Sequence, residues 1–374
     1  MNVPKVTVLM SVYNDERYVS QAIESILKQT FTDFEFLIIN DGSTDSTSCI
    51  LEQYAQKDNR IKVVHQENIG LTKSLNKGLK IAVGEYIARM DADDISLMHR
   101  LQRQVELLDE HSDIAVLGSW AQIIDEKGDV VSEYCPALSP VLLRWRLLFG
   151  NCLLHSTVMF RKDVIIRAGG YPEDCMIAQD YDLWAKLAFV AEIYQLSAVL
   201  IQYRQNKKAI SFRLYDKQVE TSIRVVQRNI LEFFKMDVSM ELAKALCDSE
   251  NVRNFPVEKG ALILEAVGLW LEFKKIFISS CYTSELSLKS AVRELKKDVA
   301  NKVVALSRAN AGFYPYQSIR ALIIGFFVKP YIVSKFNFWS AIVKAILGQE
   351  KFETLKHWIR IMQSAIYKVK ADVV

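Results

Sequence analysis

The sequence lacks the marks of several protein classes. Its six cysteines, Cys49, Cys135, Cys152, Cys175, Cys247 and Cys281, are scattered, and no two have CxxC spacing. That argues against a zinc cluster or a disulfide framework and for core thiols in a reducing compartment. No stretch of about 20 apolar residues is free of charge, so no transmembrane helix is expected. Met1 to Lys5 run straight into an apolar strand pattern, and no signal peptide is read there. Internal repeats and low-complexity tracts are missing as well.

What is present is a chain of 374 residues, 50% of them hydrophobic, enough for one large domain and an appendage. The formal charge of +3 is unevenly spread. Residues 251–374 carry 19 Lys and Arg against 9 Asp and Glu, whereas residues 1–250 carry 28 against 35. An acidic front and a basic rear imply different partners for the two parts.

Along the first 120 residues the hydrophobic period alternates. Val6–Val12, Phe34–Ile39, Ile61–His65 and Glu85–Met90 read as strands; Tyr18–Gln29, Ser46–Gln56 and Ile69–Ala82 have helical spacing. This rhythm predicts βαβ units and an α/β fold built on a mostly parallel sheet flanked by helices. Further on, the pattern predicts a strand at Asp113–Gly118, a hairpin at Gln122–Glu133, a helix at Ser139–Leu148 and a strand at Ser156–Phe160. A helix at Asp180–Phe189 and a strand within Ala191–Tyr203 follow. From about Leu214 the pattern is helical. The predicted division is 1–212 and 213–374.

Three polar groups fall at strand ends: Ser11-Val12-Tyr13-Asn14, Asp41-Gly42-Ser43-Thr44-Asp45 and Asp91-Ala92-Asp93-Asp94; a fourth, Gln179-Asp180-Tyr181-Asp182, opens a helix. Singly, each is weak: Asp-Gly-Ser-Thr-Asp alone reads as a turn with a helix cap. Their meaning comes from convergence, since parallel sheets bind ligands at the carboxyl ends of their strands. Carboxylates gathered there suit a hard divalent cation, Mn²⁺ or Mg²⁺, which prefers oxygen ligands and substrate phosphates. Asp91 and Asp93 share one side of an extended segment and can approach one ion together. Such an ion neutralises the charge that develops on a departing diphosphate.

With Asn68-Ile69-Gly70-Leu71 and the continuation Leu183-Trp184, these groups resemble, in order and spacing, the motif series of glycosyltransferase family 2, over roughly residues 4–212. The resemblance implies a GT-A (Rossmann-like) fold and an inverting enzyme using a nucleoside-diphosphate sugar. It implies that Tyr13 and Asp41 hold the base with Ser11 nearby, that Asp91 lies near ribose and metal, that Asp93 binds the metal, and that Asp180 is the catalytic base. The family often has Glu-Asp where this chain has Gln179-Asp180; the carboxylate retained is the one expected to act. A carboxylate base fits the chemistry, because an acceptor hydroxyl attacks poorly until its proton is taken.

Other residues carry two readings each. His155 resembles a histidine that contacts acceptor or diphosphate in such transferases, and equally suits a structural role. Arg204 suits either a diphosphate partner or a surface arginine. Arg89 is expected to pair with a carboxylate, Asp45 to cap a helix, Asp94 to support the metal site, and Asp182 to be a second base candidate.

Residues 299–349 contain Lys302, Arg308, Arg320, Lys329, Lys335 and Lys344 but no Asp or Glu, among Leu322–Val328, Tyr331, Phe336, Phe338 and Trp339. That mixture fits peripheral contact with an anionic membrane, or a helical cap packed on the catalytic domain. No nucleic-acid recognition motif accompanies the charge, and nucleic acid is not an expected partner. The expected partners are a UDP-sugar, with dTDP offering a similar edge, and a glycan or lipid-linked acceptor of cell-surface polysaccharide synthesis. The expected location is cytoplasmic, at the inner face of the plasma membrane. Two alternatives stand beside this reading. A sugar-nucleotide nucleotidyltransferase would carry a Gly-rich phosphate loop where this chain has Ser11-Val12-Tyr13-Asn14. A non-catalytic, membrane-associated scaffold would have little use for Asp91, Asp93 and Asp180 together.

Overall fold

The computed structural model describes residues 3–136, 138–175, 177–206, 214–247, 257–281, 285–329, 340–342, 344–345 and 353. It falls into two compact units, Met1–Val225 and Val226–Val374.

The first unit is an α/β layer structure around a nine-stranded sheet. Its strands are β1 (Val6–Val12), β2 (Phe34–Asp41), β3 (Ile61–Gln66), β4 (Tyr86–Met90), β5 (Ile95–Ser96), β6 (Ile114–Ile124), β7 (Val130–Tyr134), β8 (Met159–Arg161) and β9 (Glu192–Arg204). They run in the order β3-β2-β1-β4-β8-β6-β9-β5, with β7 paired to β6. The first four strands are parallel. Beyond β4 the sheet is mixed: β8 is antiparallel to β4 and β6, and β9 is parallel to β6.

Both faces of β1, β2 and β4 are covered, so these strands are buried on both sides rather than alternating, whereas β3, at the sheet edge, keeps Lys62 and His65 exposed. Val6, Val8, Met10 and Val12 point to one core, with α1 (Val19–Leu27) and α4 (Arg100–Glu110). Leu9, Leu37, Ile39 and Ile87 point to the other, with α3 (Leu71–Ile81) and α7 (Gln179–Leu187). The helices α2 (Thr47–Lys57), α5 (Pro140–Leu147) and α6 (Lys162–Arg167) complete the layers.

Several local expectations change. Asp113–Gly118 and the first arm of the hairpin are one 11-residue strand, β6, because Ser119 and Trp120 continue its pairing with β9 through register shifts. Residues His155–Thr157 form a tight helical turn, and strand β8 begins only at Met159. Helix α4 escaped the periodic reading: its inner face includes Arg100 and Gln104, both fully buried, beside Leu101, Val105 and Leu108.

The second unit is helical among the described residues: Met240–Leu246, Ala261–Cys281, Glu285–Asn310 and Pro315–Val328. Phe234 stacks on Phe273 at 4.0 Å. Two of the basic residues expected on a membrane face are turned inward. Lys302 lies 3.5 Å from Asp298, each about 3% exposed, and Lys344 Nζ donates to the Arg308 carbonyl at 3.3 Å. Tyr316, Ile323 and Phe326 are exposed, with Arg320 over the Tyr316 ring. Tyr331, Lys335, Phe336, Phe338 and Trp339 lie outside the described residues. No helix among the described residues is long and apolar enough to cross a membrane.

Candidate active site

Because β1 lies between β2 and β4 in parallel register, the loops after all three emerge on the same edge. The first two are stitched together. Asn14 adopts a left-handed φ of 53°, which asparagine tolerates. Its backbone N–H donates to Ser43 Oγ at 3.0 Å, and its Oδ1 accepts from the Thr44 N–H at 2.7 Å. Asp45 accepts from the Thr47 and Glu16 N–H groups, capping α2 and tying the loops again.

Asp41 ends β2, is 3% exposed and has donors on both oxygens. Oδ1 accepts from Gln66 Nε2 (2.7 Å) and the Ile69 N–H (2.9 Å), and Oδ2 from the Gly70 N–H (2.9 Å). The carboxylate therefore braces the Asn68-Ile69-Gly70 turn. Gly42 makes the approach possible: its φ is +77°, and a Cβ there would lie 2.7 Å from the Asn68 nitrogen. Tyr13, at the same edge, is half exposed, and Ser11 is half-buried.

The third loop holds Asp91, Asp93 and Asp94, and the structure gives each a different surrounding. Asp91 forms an ion pair with the buried Arg89 and accepts from Ser156 Oγ at 2.6 Å, while its own N–H donates back to that oxygen at 3.1 Å. Asp94 is buried and accepts the Arg204 backbone N–H at 2.7 Å. Burial, then Asp93 and Asp91, raise the Asp94 pKa well above its ordinary value. Asp93 differs from both: no side-chain partner holds it among the described residues. Burial and the neighbouring Asp91 push its pKa up to about 6.

Asp15 joins this cluster without having been singled out in the sequence. Burial, then Asp93, Asp91 and Asp45, push its pKa up to about 7. Its only sequence signal is its place, one residue past the Tyr13-Asn14 pair at the end of β1.

Arg204 is neither on the surface nor free. It is 3% exposed, stacks 4.5 Å over the Tyr18 ring, and commits all three guanidinium nitrogens to protein oxygens. Nε donates to the Asp93 carbonyl (2.8 Å), one terminal nitrogen to the Asp125 carbonyl (3.0 Å) and the other to Gln21 Oε1 (3.0 Å). It clamps the acidic loop to β9, α1 and the β6–β7 turn.

Asp180 stands in the first turn of α7, where the helix dipole favours an anion. Asn151 Nδ2 donates to its Oδ2 at 2.9 Å. Burial raises the Asp180 pKa, opposed by the Tyr181 N–H, by Asn151 and by Arg89. Arg89 therefore acts on the acidic loop and on Asp180 alike. Tyr203 is a second common neighbour: after burial, Asp94, Asp91, Asp93 and Asp180 all raise its pKa. Asp182, on the same helix, is 5% exposed and pairs with Lys186 at 3.4 Å.

His155 Nε2 is 2.8 Å from the Tyr171 hydroxyl, and its ring meets Tyr171 and Trp184 edge-on. Burial, then the Arg89 charge, hold its pKa well below the usual value, so the imidazole is neutral.

The donor set fits a hard divalent ion. Asp93 is an ionisable oxygen ligand with no side-chain partner, in a setting that penalises its bare charge, with Asp91 beside it. Among the described residues no three His, Cys, Asp or Glu side chains form a complete metal cage. Mg²⁺ and Mn²⁺ at phosphate sites commonly take one or two carboxylates and complete their shell from substrate and water.

Comparison with known proteins agrees with this architecture. A family model described as "Glycosyl transferase family 2" matches residues 7–166, from β1 through α6. An uncharacterized glycosyltransferase of Haemophilus influenzae is 30% identical over 319 residues, covering 79% of this chain and 97% of that protein. The O-antigen biosynthesis glycosyltransferase WbnJ of Escherichia coli is 34% identical over 209 residues, covering 54% and 81%. In fold, the chain is similar to S. aureus TarS 1–349 in complex with UDP-GlcNAc, with a TM-score of 0.52 at 20% identity, over 88% of this chain and 92% of that one. The strand-end motifs and the match along nearly the whole of the Haemophilus protein lead to one conclusion: this chain belongs to glycosyltransferase family 2.

Proposed function

We propose that residues 1–212 catalyse inverting, metal-dependent transfer of a sugar from a nucleoside-diphosphate sugar, with UDP-sugars favoured, to a hydroxyl acceptor in cell-surface polysaccharide synthesis. The observation that carries this reading is the division of labour among the acidic residues. Asp91 is paired with Arg89, Asp94 is buried against the Arg204 N–H, and Asp93 is left to meet a cation. Asp180 shares Arg89 and Tyr203 with them.

In this reading Tyr13 and Asp41 bind the base, with Ser11 nearby. Oδ2 of Asp41, which among the described residues accepts only the Gly70 N–H, keeps a lone pair for the base. Asp93, with Asp91 behind it, holds Mn²⁺ or Mg²⁺, which when bound offsets charge on the leaving diphosphate. Asp180 takes the proton from the acceptor hydroxyl as the new bond forms to the anomeric carbon, opposite the diphosphate, and that single displacement inverts the centre. His155, neutral, offers a hydrogen bond without adding charge. Arg204 serves by holding the Asp93 carbonyl. The WbnJ name supports the polysaccharide setting. Exposed Tyr316, Ile323 and Phe326 beside Arg320 support peripheral contact with anionic lipid.

The test is thermal stabilisation by UDP, dTDP and GDP with and without Mn²⁺. A shift that needs both UDP and Mn²⁺ and disappears in Asp93→Ala is expected. No shift with any nucleotide would overturn the donor site and favour a scaffold.

A further inference from the structure

Asn151 belongs to none of the motifs described above. It sits in the loop between α5 and the His155–Thr157 turn, and its side chain is pinned at both ends. Oδ1 accepts from the Leu153 N–H at 3.1 Å, and Nδ2 donates to Asp180 Oδ2 at 2.9 Å. The first contact decides the second. A backbone N–H only donates, so the amide oxygen must face Leu153 and the NH₂ must face Asp180; the usual ambiguity of amide orientation is removed.

The anchor is firm. Leu153 is 2% exposed and lies so close to Gly118 of β6 that a Cβ there would meet its Cδ2 at 2.7 Å. At the other end, Asp180 is carried on the first turn of α7, whose inner face, Leu183, Trp184 and Leu187, is fully buried. A side-chain bridge between two such fixed segments restricts rotation of the carboxylate it touches.

We propose that Asn151 is the positioning residue for Asp180, holding one carboxylate oxygen so that the plane of the base is set before the acceptor arrives. This rests on the reading of Asp180 as the catalytic base. A base acts within a narrow range of distance and angle, and a free carboxylate samples many orientations that an anchored one does not. The NH₂ also favours the ionised form that can accept a proton, working with Arg89 against burial.

The groups facing Asp180 are Arg89 from β4, Tyr171 from the segment before α7, Tyr203 from β9, and the Tyr181 N–H of its own helix. Both tyrosines have pKa values raised, first by burial, and stay neutral at ordinary pH. Asn151 and the N–H groups of Asp180 and Tyr181 are thus neutral donors that tune the base, and Asn151 is the one supplied by a side chain.

The test is a titration of aspartate-labelled (¹³Cγ) protein followed by NMR, with the Asp180 signal assigned by its loss in Asp180→Asn. Asn151→Asp keeps the oxygen that meets Leu153 and replaces the donor with a carboxylate, so it probes the contact without emptying the loop. In Asn151→Ala the Asp180 pKa is expected to rise by roughly half to one pH unit, since a donor to the charged form is lost. In Asn151→Asp it should rise further, because two adjacent carboxylates share one proton. UDP stabilisation in the presence of Mn²⁺ should remain that of the parent in both. An unmoved Asp180 titration in both variants overturns the proposal, whatever Asp180→Asn does to turnover. Turnover that survives Asp180→Asn would instead defeat the base assignment on which the proposal rests.

Discussion

Arg89 and Asp91 stand two residues apart at the end of β4, on the same side of the chain, and form an ion pair in which the guanidinium is 1% exposed and the carboxylate 30%. Burial opposes the Arg89 cation, but Asp91, with Tyr171 and Asp94, more than offsets it, and its pKa is raised. The pair helps a cluster of carboxylates gather at one strand end: a buried cation sits beneath them.

Replacing that cation should therefore be costly. Removing one partner of a buried pair typically costs about 3–5 kcal/mol, and the partial exposure of Asp91 reduces this to about 2–3 kcal/mol for Arg89→Leu. Urea denaturation should report the loss. The His155 pKa, freed from the neighbouring charge, should rise in the same variant, as an imidazole NMR titration would register.

Asp93→Asn should separate folding from function. The apoprotein loses an unfavourable buried charge and should be no less stable than the parent. Turnover should drop by on the order of a thousandfold or more, the scale of a metal that stabilises a leaving diphosphate by several kcal/mol. Parallel melting curves and donor turnover would check both halves; a variant with parental activity would remove Asp93 from the metal site.

The pH dependence of apoprotein stability has a definite sign. Asp15 and Asp93 have folded-state pKa values of about 7 and about 6, above the ordinary carboxylate value of 3.8. The folded state then binds protons more tightly than the unfolded chain. Their contribution is fully present below pH 3.8 and is lost as pH rises through 6 and 7. The difference in melting temperature between Asp15→Asn and the parent should be small near pH 4 and favour the variant near pH 8. Mn²⁺ with UDP should shrink it.

Gly42→Ala tests the turn that Asp41 braces. Its φ of +77° and the 2.7 Å approach of a Cβ to the Asn68 nitrogen leave no relaxed position for a methyl group. A loss of about 1–2 kcal/mol is expected from the left-handed backbone alone, before any steric shift. UDP-dependent stabilisation should fall with it, while Gly169→Ala, past α6, with a φ of +92° and open space around a Cβ, should leave UDP binding intact.

Much of this protein was legible in its residue pattern. Alternation of apolar period marked β1 to β4 and their helices, because β1, β2 and β4 are buried on both sheet faces and are mostly apolar. The motifs at strand ends followed, since parallel strands put their following loops on one edge. Three things needed the folded chain. Helix α4 hides Arg100 and Gln104 in its inner face, where they bond main-chain carbonyls at the sheet, so its polarity disguised a buried element. Asp15 and Asn151 looked like loop residues; only the pairing of β1 with β4 and the docking of α7 bring them to the carboxylates they serve. Arg204 looked like a free cation at a strand end, yet folding closes three segments around it, the acidic loop, the start of α1 and the β6–β7 turn. Local sequence sets which residues form strands, helices and turns, because those choices depend on near neighbours. Which carboxylate is paired, which is buried and which stays open is decided by distances between segments far apart in the chain, and these exist only once the sheet has assembled.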